Sequence, residues 1–411
     1  MKKIDYKWTA LALLWVACFL QQGMRQIFPP LAGAIGADFA LNAKSLGTVM
    51  LTFTFVYALA VPFSGMAGDF LSRKKIVIFS LAVFSAGVMA AGWADGLVSI
   101  AALYGALNGF GQSFFYPAAT SLVQQLHSDR KATALSILQL ALYSGIILMS
   151  FASGKLLDVC GSWRVPFKAF GAAGLVWAAA LVFLLRDTKP VAAAAGVGAS
   201  VKPSAKEAIL AVVKKPSALL LAGGLSMQIF VDVGFKMWGP KFLEDAFPGM
   251  AHATYALNAV LWHYLGAFAG VMLGSRIADR FVRSRHGIRM EMNILGLVLG
   301  APFIVWMGFA GSFTAACVAM GLFGFFRGVY DSNQFASIFD VIAPRYRASA
   351  MGVMLSIAFL IGATASFVLG WARDAFGDMR VAFAALSGFF IVGAGLIALA
   401  RVKFLERDYE N

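Results

Sequence analysis

The sequence predicts an all-α membrane protein of twelve transmembrane helices, arranged as two pseudo-symmetric six-helix bundles. Three observations predict it: an apolar composition, a succession of stretches long enough to cross a bilayer, and an internal repeat at half-chain spacing. Of the 411 residues, 60% are hydrophobic and 13% are charged, with a mean hydropathy of +0.78. A soluble domain carries about 25% charged residues, so the composition argues against a cytosolic enzyme. The net charge of +14 would suggest a polyanion partner in a soluble protein, but cytoplasmic loops of membrane proteins accumulate Lys and Arg anyway. No nucleic acid is implied.

Each span needs about 20 apolar residues to cross a hydrocarbon core of about 30 Å. Stretches of that length fall at 9–34, 45–68, 76–95, 98–126, 132–154 and 165–186, and again at 217–243, 254–278, 289–310, 312–339, 348–370 and 381–404. The first follows Met1-Lys2-Lys3 without a small-residue cleavage site, and reads as a retained helix. The expected domains are an N-terminal bundle over 1–187, a linker over 188–215 rich in Ala, Gly, Pro and Lys, and a C-terminal bundle over 216–411. Within the linker, Ser204-Ala205-Lys206-Glu207 has capping-box spacing and predicts a short helix at the membrane surface.

An even number of spans places both termini on one side. Arg73, Lys74, Lys75, Arg130, Lys131, Lys214, Lys215, Arg276, Arg280 and Arg285 crowd that side, whereas Lys44, Lys155, Arg164, Lys168, Lys241, Arg373 and Arg380 are the few opposite. The positive-inside rule then predicts cytoplasmic termini, and the absence of targeting segments fits a bacterial inner membrane. Cys18, Cys160 and Cys317 are isolated and form neither a disulfide framework nor a zinc spacing.

The repeat is read directly from the residues. Gly23, Arg25 and Pro29 align with Gly234, Lys236 and Pro240; Gly65, Asp69 and Arg73 with Ser275, Asp279 and Arg283; and Gly154, Asp158, Gly161 and Arg164 with Gly370, Asp374, Gly377 and Arg380. All three sets share an offset of about 210 residues. Parallel repeats of this kind occur in transporters whose site lies near the bilayer midplane.

Gly65 to Lys75, a Gly-x-x-x-Asp-x-x-x-Arg-Lys-Lys pattern after the second span, resembles the signature of the major facilitator superfamily, echoed more weakly after the eighth span. The resemblance implies the major facilitator fold and alternating access, closest to the organic anion:cation symporter and organophosphate-type branches. It further implies that Gly65, Asp69 and Arg73, with Asp279 and Arg283, bridge neighbouring helices on the cytoplasmic side and favour the outward-facing state. In those symporters an acid commonly sits in the first or fourth helix. Here the stretches read Gln21-Gln22-Gly23-Met24 and Gly111-Gln112-Ser113, which moves ion coupling to the second half, to sodium, or removes it.

Ionisable residues inside spans are costly and mark functional sites by default. Arg25 has Gln21 and Pro29 one turn away rather than an acid, so it either holds an anionic ligand through two parallel hydrogen bonds or pairs with an acid on another helix. Lys236, its counterpart, has Asp232 four residues before it on the same face, and is either a ligand contact or self-neutralised. Arg327 and Asp331 repeat that spacing as a lock or as a switch that substrate opens. Gln22, Gln112, Tyr116, Gln139, His263 and Asn333 complete the candidate substrate contacts, beside Tyr143, Gln228 and Asn258; His263 either titrates or is simply packed. Asp232 and Asp331 are the candidate cation-coupling groups, and Asp340 reads as solvated.

No His-Glu-x-x-His, Gly-x-Ser-x-Gly or phosphate-cradling loop is present, so neither a catalytic residue, a metal site nor a cofactor is expected beyond a coupling proton or sodium ion. The expected function is secondary active transport of a small organic anion, such as a sugar acid or another carboxylate or phosphate, by a monomer embedded in the lipid bilayer. The alternatives are a carrier of a neutral sugar or lysolipid-like amphiphile, or a drug-type exporter.

Overall fold

The computed structural model describes residues 6–127, 130–186, 205–282 and 284–409. Helices run in the order α1 (Tyr6–Met24), α2 (Phe28–Asp38), α3 (Ala43–Phe70), α4 (Arg73–Ala91), α5 (Leu97–Ile100), a π-helical turn (Ala101–Leu107), α6 (Asn108–Leu126), α7 (Lys131–Cys160) and α8 (Arg164–Leu184). They continue as α9 (Ala205–Val213), α10 (Pro216–Ala246), α11 (His252–Phe281), α12 (Ile288–Gly308), α13 (Phe313–Phe339), α14 (Arg347–Phe376), α15 (Met379–Leu399) and α16 (Leu405–Asp408). Among the described residues, ten helices are long and apolar enough to cross a membrane. The other two expected spans are present but interrupted. Apolar side chains such as Phe63, Val176, Phe183 and Val402 stand exposed, as surfaces bathed in lipid require.

The first span departs from the continuous helix expected over 9–34. It breaks at Arg25, Gln26 and Ile27, between α1 and α2. Pro29 and Pro30 explain the break, because neither has an N–H for the carbonyls of Arg25 and Gln26, and a proline ring clashes with the carbonyl four residues back. A carbonyl stripped of its donor inside a membrane needs another. The Tyr104 hydroxyl supplies one, donating to the Arg25 carbonyl at 2.8 Å and lying 3.2 Å from that of Met24. Tyr104 is fully buried and sits in the π-helical turn that interrupts the fourth span. Nothing in the apolar run Ala101–Leu107 announces that turn.

Contacts divide the chain into two units, residues 1–200 with 250–257, and residues 201–249 with 258–411. In the first, α1 packs on α7, α4 on α8, and α6 on both α3 and α4. A Cβ on Gly145 of α7 would land on the Phe19 carbonyl of α1, so only glycine permits this approach. Residues 250–257 are held by α7. Asp158 accepts hydrogen bonds from the His252 and Ala253 backbone N–H groups, both at 3.0 Å, and lies 2.7 Å from His252 Nδ1. A carboxylate there also complements the positive end of α11. Arg164 pairs with Asp38 at 2.6 Å, which holds the Asp38 carboxyl below the usual carboxylate range.

In the second unit α12 packs on α13 and α15, and α10 on α14 and α15. Helix α9 starts at Ala205, as the spacing predicts, and packs on α14 and α10 rather than standing apart as linker; Ser204 lies outside the described residues. Asp340 is corrected from solvated to buried. It lies within 2.5 Å of Arg289 Nη1, because α12 brings that guanidinium to the end of α13.

The repeat is visible in how the helices end. Gly161 after α7 and Gly377 after α14 adopt left-handed φ values of 64° and 72° and donate to the carbonyls of Leu157 and Arg373, a conformation that costs glycine least.

Replacing Tyr104 with Phe leaves the carbonyls at the break without their donor. The variant is expected to lose about 1–3 kcal/mol of stability, read as a lower Tm of the detergent-solubilised protein. Tyr116→Phe, which alters a more exposed hydroxyl, should lower Tm less; equal Tm values for Tyr104→Phe and parent would show that the hydroxyl does not hold the break.

Candidate functional site

Two polar centres emerge, one in each unit. In the first, the broken span places Arg25 between α1 and α2, half-buried, with its guanidinium carbon 5.3 Å from the centre of the Phe53 ring and 5.8 Å from that of Tyr57. Among the described residues no carboxylate lies within ion-pair distance of Arg25. Its charge rests instead on aromatic faces, an attraction of about 0.5–2 kcal/mol that leaves the N–H groups unspent.

Tyr57 connects this cation to residues expected from the sequence. It lies within electrostatic range of both Arg25 and the Tyr116 hydroxyl. Tyr116 donates to Gln139 Oε1 at 2.7 Å, and Tyr143 lies nearby. Arg25 therefore contacts Tyr57, and Tyr116 is bonded to Gln139. Tyr57 was not anticipated; its only signal is its position one helical turn after Phe53. Gln22 and Gln112 are buried, and among the described residues Gln112 Oε1 has no hydrogen-bond partner. Gln21 turns toward α4, donating to Ser80 Oγ at 3.1 Å, and Ser80 donates to the Gly111 carbonyl at 2.6 Å.

The second centre joins α10, α11 and α13. Asp232 and Lys236 pair along α10 at 2.7 Å, and Arg327 and Asp331 along α13 at 3.3 Å. Arg327 also reaches across to Asp232 Oδ1 at 3.0 Å, so the two expected pairs are one network. Lys236 lies 5.5 Å from the centre of the Tyr264 ring. His263 is buried on α11 between Phe235 and Phe323, with its Nε2 2.5 Å from Arg327 Nη1.

Two acids and two bases balance within this centre, and each acid touches at least one base. Burial of charge is tolerable in such a case because the partners satisfy one another, while removing one member strands the rest. Asn333 does not join the centre: its amide donates to the Val329 carbonyl at 3.2 Å and to Ser332 Oγ at 2.8 Å, both on its own helix. Gln228 is buried, and Asn258 accepts from Trp262 Nε1 at 2.7 Å.

Of the expected gating residues, Arg73 opens α4 half-buried and Asp279 is exposed on α11. The surroundings of Gly65, the side chain of Asp69 and the whole of Arg283 lie outside the described residues. Among the described residues no cluster of His, Cys, Asp and Glu could hold a metal ion.

Comparison with known proteins adds lineage to geometry. Residues 14–356 match the Major Facilitator Superfamily. A voltage-gated purine nucleotide uniporter of Mus musculus is 24% identical over 387 residues, covering 92% of this chain and 85% of its own length. The hexuronate transporter of Bacillus subtilis is 25% identical over 381 residues, covering 90% of this chain and 87% of its own. A bacterial homolog of the human lysosomal transporter Spinster, crystallised inward-facing and unoccupied, superposes with a TM-score of 0.85 at 19% identity, over 100% of this chain and 99% of that one. At that identity the likeness concerns fold.

Asp232→Asn is expected to cost on the order of 3 kcal/mol, because it leaves Lys236 and Arg327 sharing Asp331 alone. Lys236→Met should cost less than half as much, since Arg327 still holds Asp232. Thermal unfolding of the two variants in detergent checks the order, and a more severe loss in Lys236→Met would contradict the shared-acid network.

Proposed function

From the premise that this chain belongs to the Major Facilitator Superfamily, and is a multi-pass membrane transporter rather than an enzyme, we propose that its cargo is a small organic anion of the sugar-acid or related carboxylate or phosphate class. The observation that carries the proposal is Arg25, a guanidinium inside the first span with aromatic rings and no carboxylate beside it among the described residues. Placing an arginine at mid-membrane depth costs about 2.5–3.5 kcal/mol on insertion scales. A neutral cargo returns little of that, whereas a carboxylate can take two parallel charge-assisted hydrogen bonds from the same fork.

Three further features fit a hydroxyl-bearing organic anion. The break puts the positive end of α2 directly after Arg25, which favours negative charge. Tyr57, Tyr116 and Gln139 add neutral hydrogen-bonding groups suited to hydroxyls on the cargo. The two relatives above are described as carriers of hexuronate and of purine nucleotide, both anions. Alternating access coupled to a proton or sodium ion completes the proposal. The protein acts as a monomer in the bacterial inner membrane, with cytoplasmic termini as the basic residues on that side favour.

Uptake of radiolabelled D-glucuronate into proteoliposomes tests this reading. Arg25→Ala is expected to lower the rate by about tenfold or more, and Arg25→Lys to fall between, since an ammonium keeps the charge without the fork. Uptake by Arg25→Ala at the parent rate would remove the anion assignment while leaving the carrier fold intact.

A further inference from the structure

We propose that His263 is the proton-binding group of the transport cycle, and that Arg327 controls it by covering Nε2 until an anionic substrate draws the guanidinium away. The proposal rests on the anion reading above.

The argument begins with hydrogen-bond chemistry. A guanidinium can only donate, so with Arg327 Nη1 at 2.5 Å, Nε2 of His263 must accept. The ring is therefore neutral and carries its hydrogen on Nδ1. That nitrogen is buried without a hydrogen-bond partner among the described residues, and the ring is flanked by Phe235 and Phe323 at centroid distances of 4.8 and 5.0 Å. As arranged, the site has no place for a second hydrogen. One would meet the guanidinium, and the first already lacks an acceptor.

The same Nη1 atom lies 3.0 Å from Asp232 Oδ1. A single guanidinium nitrogen thus bridges an imidazole nitrogen and a carboxylate oxygen. If Arg327 moves, both lose a partner at once. A proton from the solvent then adds to the Nε2 lone pair, with no covalent bond broken, and supplies a cationic N–H where the guanidinium stood.

Charge counting supports this exchange. Arg327 from α13, Asp232 and Lys236 from α10 and neighbouring Tyr264 on α11 face His263, and Asp331 joins their network through Arg327. With the imidazole neutral their formal charges cancel. When Arg327 turns away, Asp232 and Asp331 keep Lys236 alone as counter-charge, and the proton on Nε2 supplies the missing positive charge, so one proton accompanies each monoanion that displaces Arg327. When the anion leaves, Arg327 returns and the proton is released to the water then in contact with the site. Asp232 and Asp331, the expected coupling groups, serve here as counter-charges rather than as the proton carrier.

Two measurements test the proposal. In proteoliposomes, one proton per monoanion predicts about tenfold accumulation of D-glucuronate per unit of pH gradient. His263→Gln should bring that ratio, measured against the same variant without a gradient, close to one. A gradient-driven ratio that survives in His263→Gln but disappears in Asp331→Asn would place the proton on a carboxylate and overturn the proposal, as would a parent protein indifferent to the gradient. The second measurement needs no substrate. Nitrogen-15 NMR of the histidine-labelled full chain, with the His263→Gln spectrum identifying the resonances, should show Nε2 without a proton in the parent at about pH 6 and with one in Arg327→Gln. An unchanged protonation state between those two proteins overturns the control by Arg327. Loss of the anion reading is recognised separately, by D-glucuronate uptake that is absent or indifferent to Arg25→Ala.

Discussion

Inside a bilayer every backbone N–H and C=O must find a partner within the protein, and the first span violates that requirement by placing two prolines in succession. The remedy governs the whole first centre. Tyr104, carried by an irregular turn of the fourth span, fills the vacancy at the Arg25 carbonyl. Its ring stacks on Phe28 at 5.2 Å and lies 6.1 Å from Phe53. Phe53 in turn faces the Arg25 guanidinium. One hydroxyl therefore ties the break, the aromatic wall and the cation together, and the guanidinium is positioned because the backbone that bears it is fixed.

The duplicated halves have kept their mechanical parts and parted in their chemistry. Gly161 and Gly377 end equivalent helices in the same left-handed cap. Arg164 and Arg380 each reach to the end of the opening span of their own half, to Asp38 and to the Ala246 carbonyl. At the repeat position inside the membrane the outcome diverges. Arg25 rests on rings, whereas Lys236 is bound to Asp232, which is bound in turn to Arg327. The first arrangement is a charge without a counter-charge among the described residues, and the second is a closed electrostatic circuit.

How much of this was legible in the sequence follows from distance along the chain. The spans, the repeat and the two i, i+4 pairs were legible because hydropathy and helical periodicity are local. Arg25 stood out because its neighbours one turn away are Gln21 and Pro29. The link from Arg327 to Asp232 and His263 joins three helices, and no pattern within one helix encodes it. Tyr57 and Tyr104 were missed for the same reason: a tyrosine in an apolar span looks like any other aromatic until the fold brings a cation or an orphaned carbonyl to it. Asp340 was misread because the end of a helix looks wet in sequence, while Arg289 from another helix keeps it dry. The break itself was half visible, since Pro29 and Pro30 announce a kink but not which hydroxyl compensates it.

The two centres also differ in what it takes to disengage them. Cation–π attraction is shallow and weakly directional, so Arg25 can turn toward a ligand and back without stranding a charge. Arg327 cannot: lifting it leaves Asp232 with Lys236 alone and takes from Asp331 its ion-pair partner, in a medium where an unpaired carboxylate is expensive. A group that disengages freely suits recognition, because affinity then need not first overcome an internal ion pair. A group whose departure demands compensation suits coupling, because something positive must take its place. The proposed assignment of recognition to the first half and coupling to the second follows from that difference in partners rather than from the identity of the basic residues, which both halves possess.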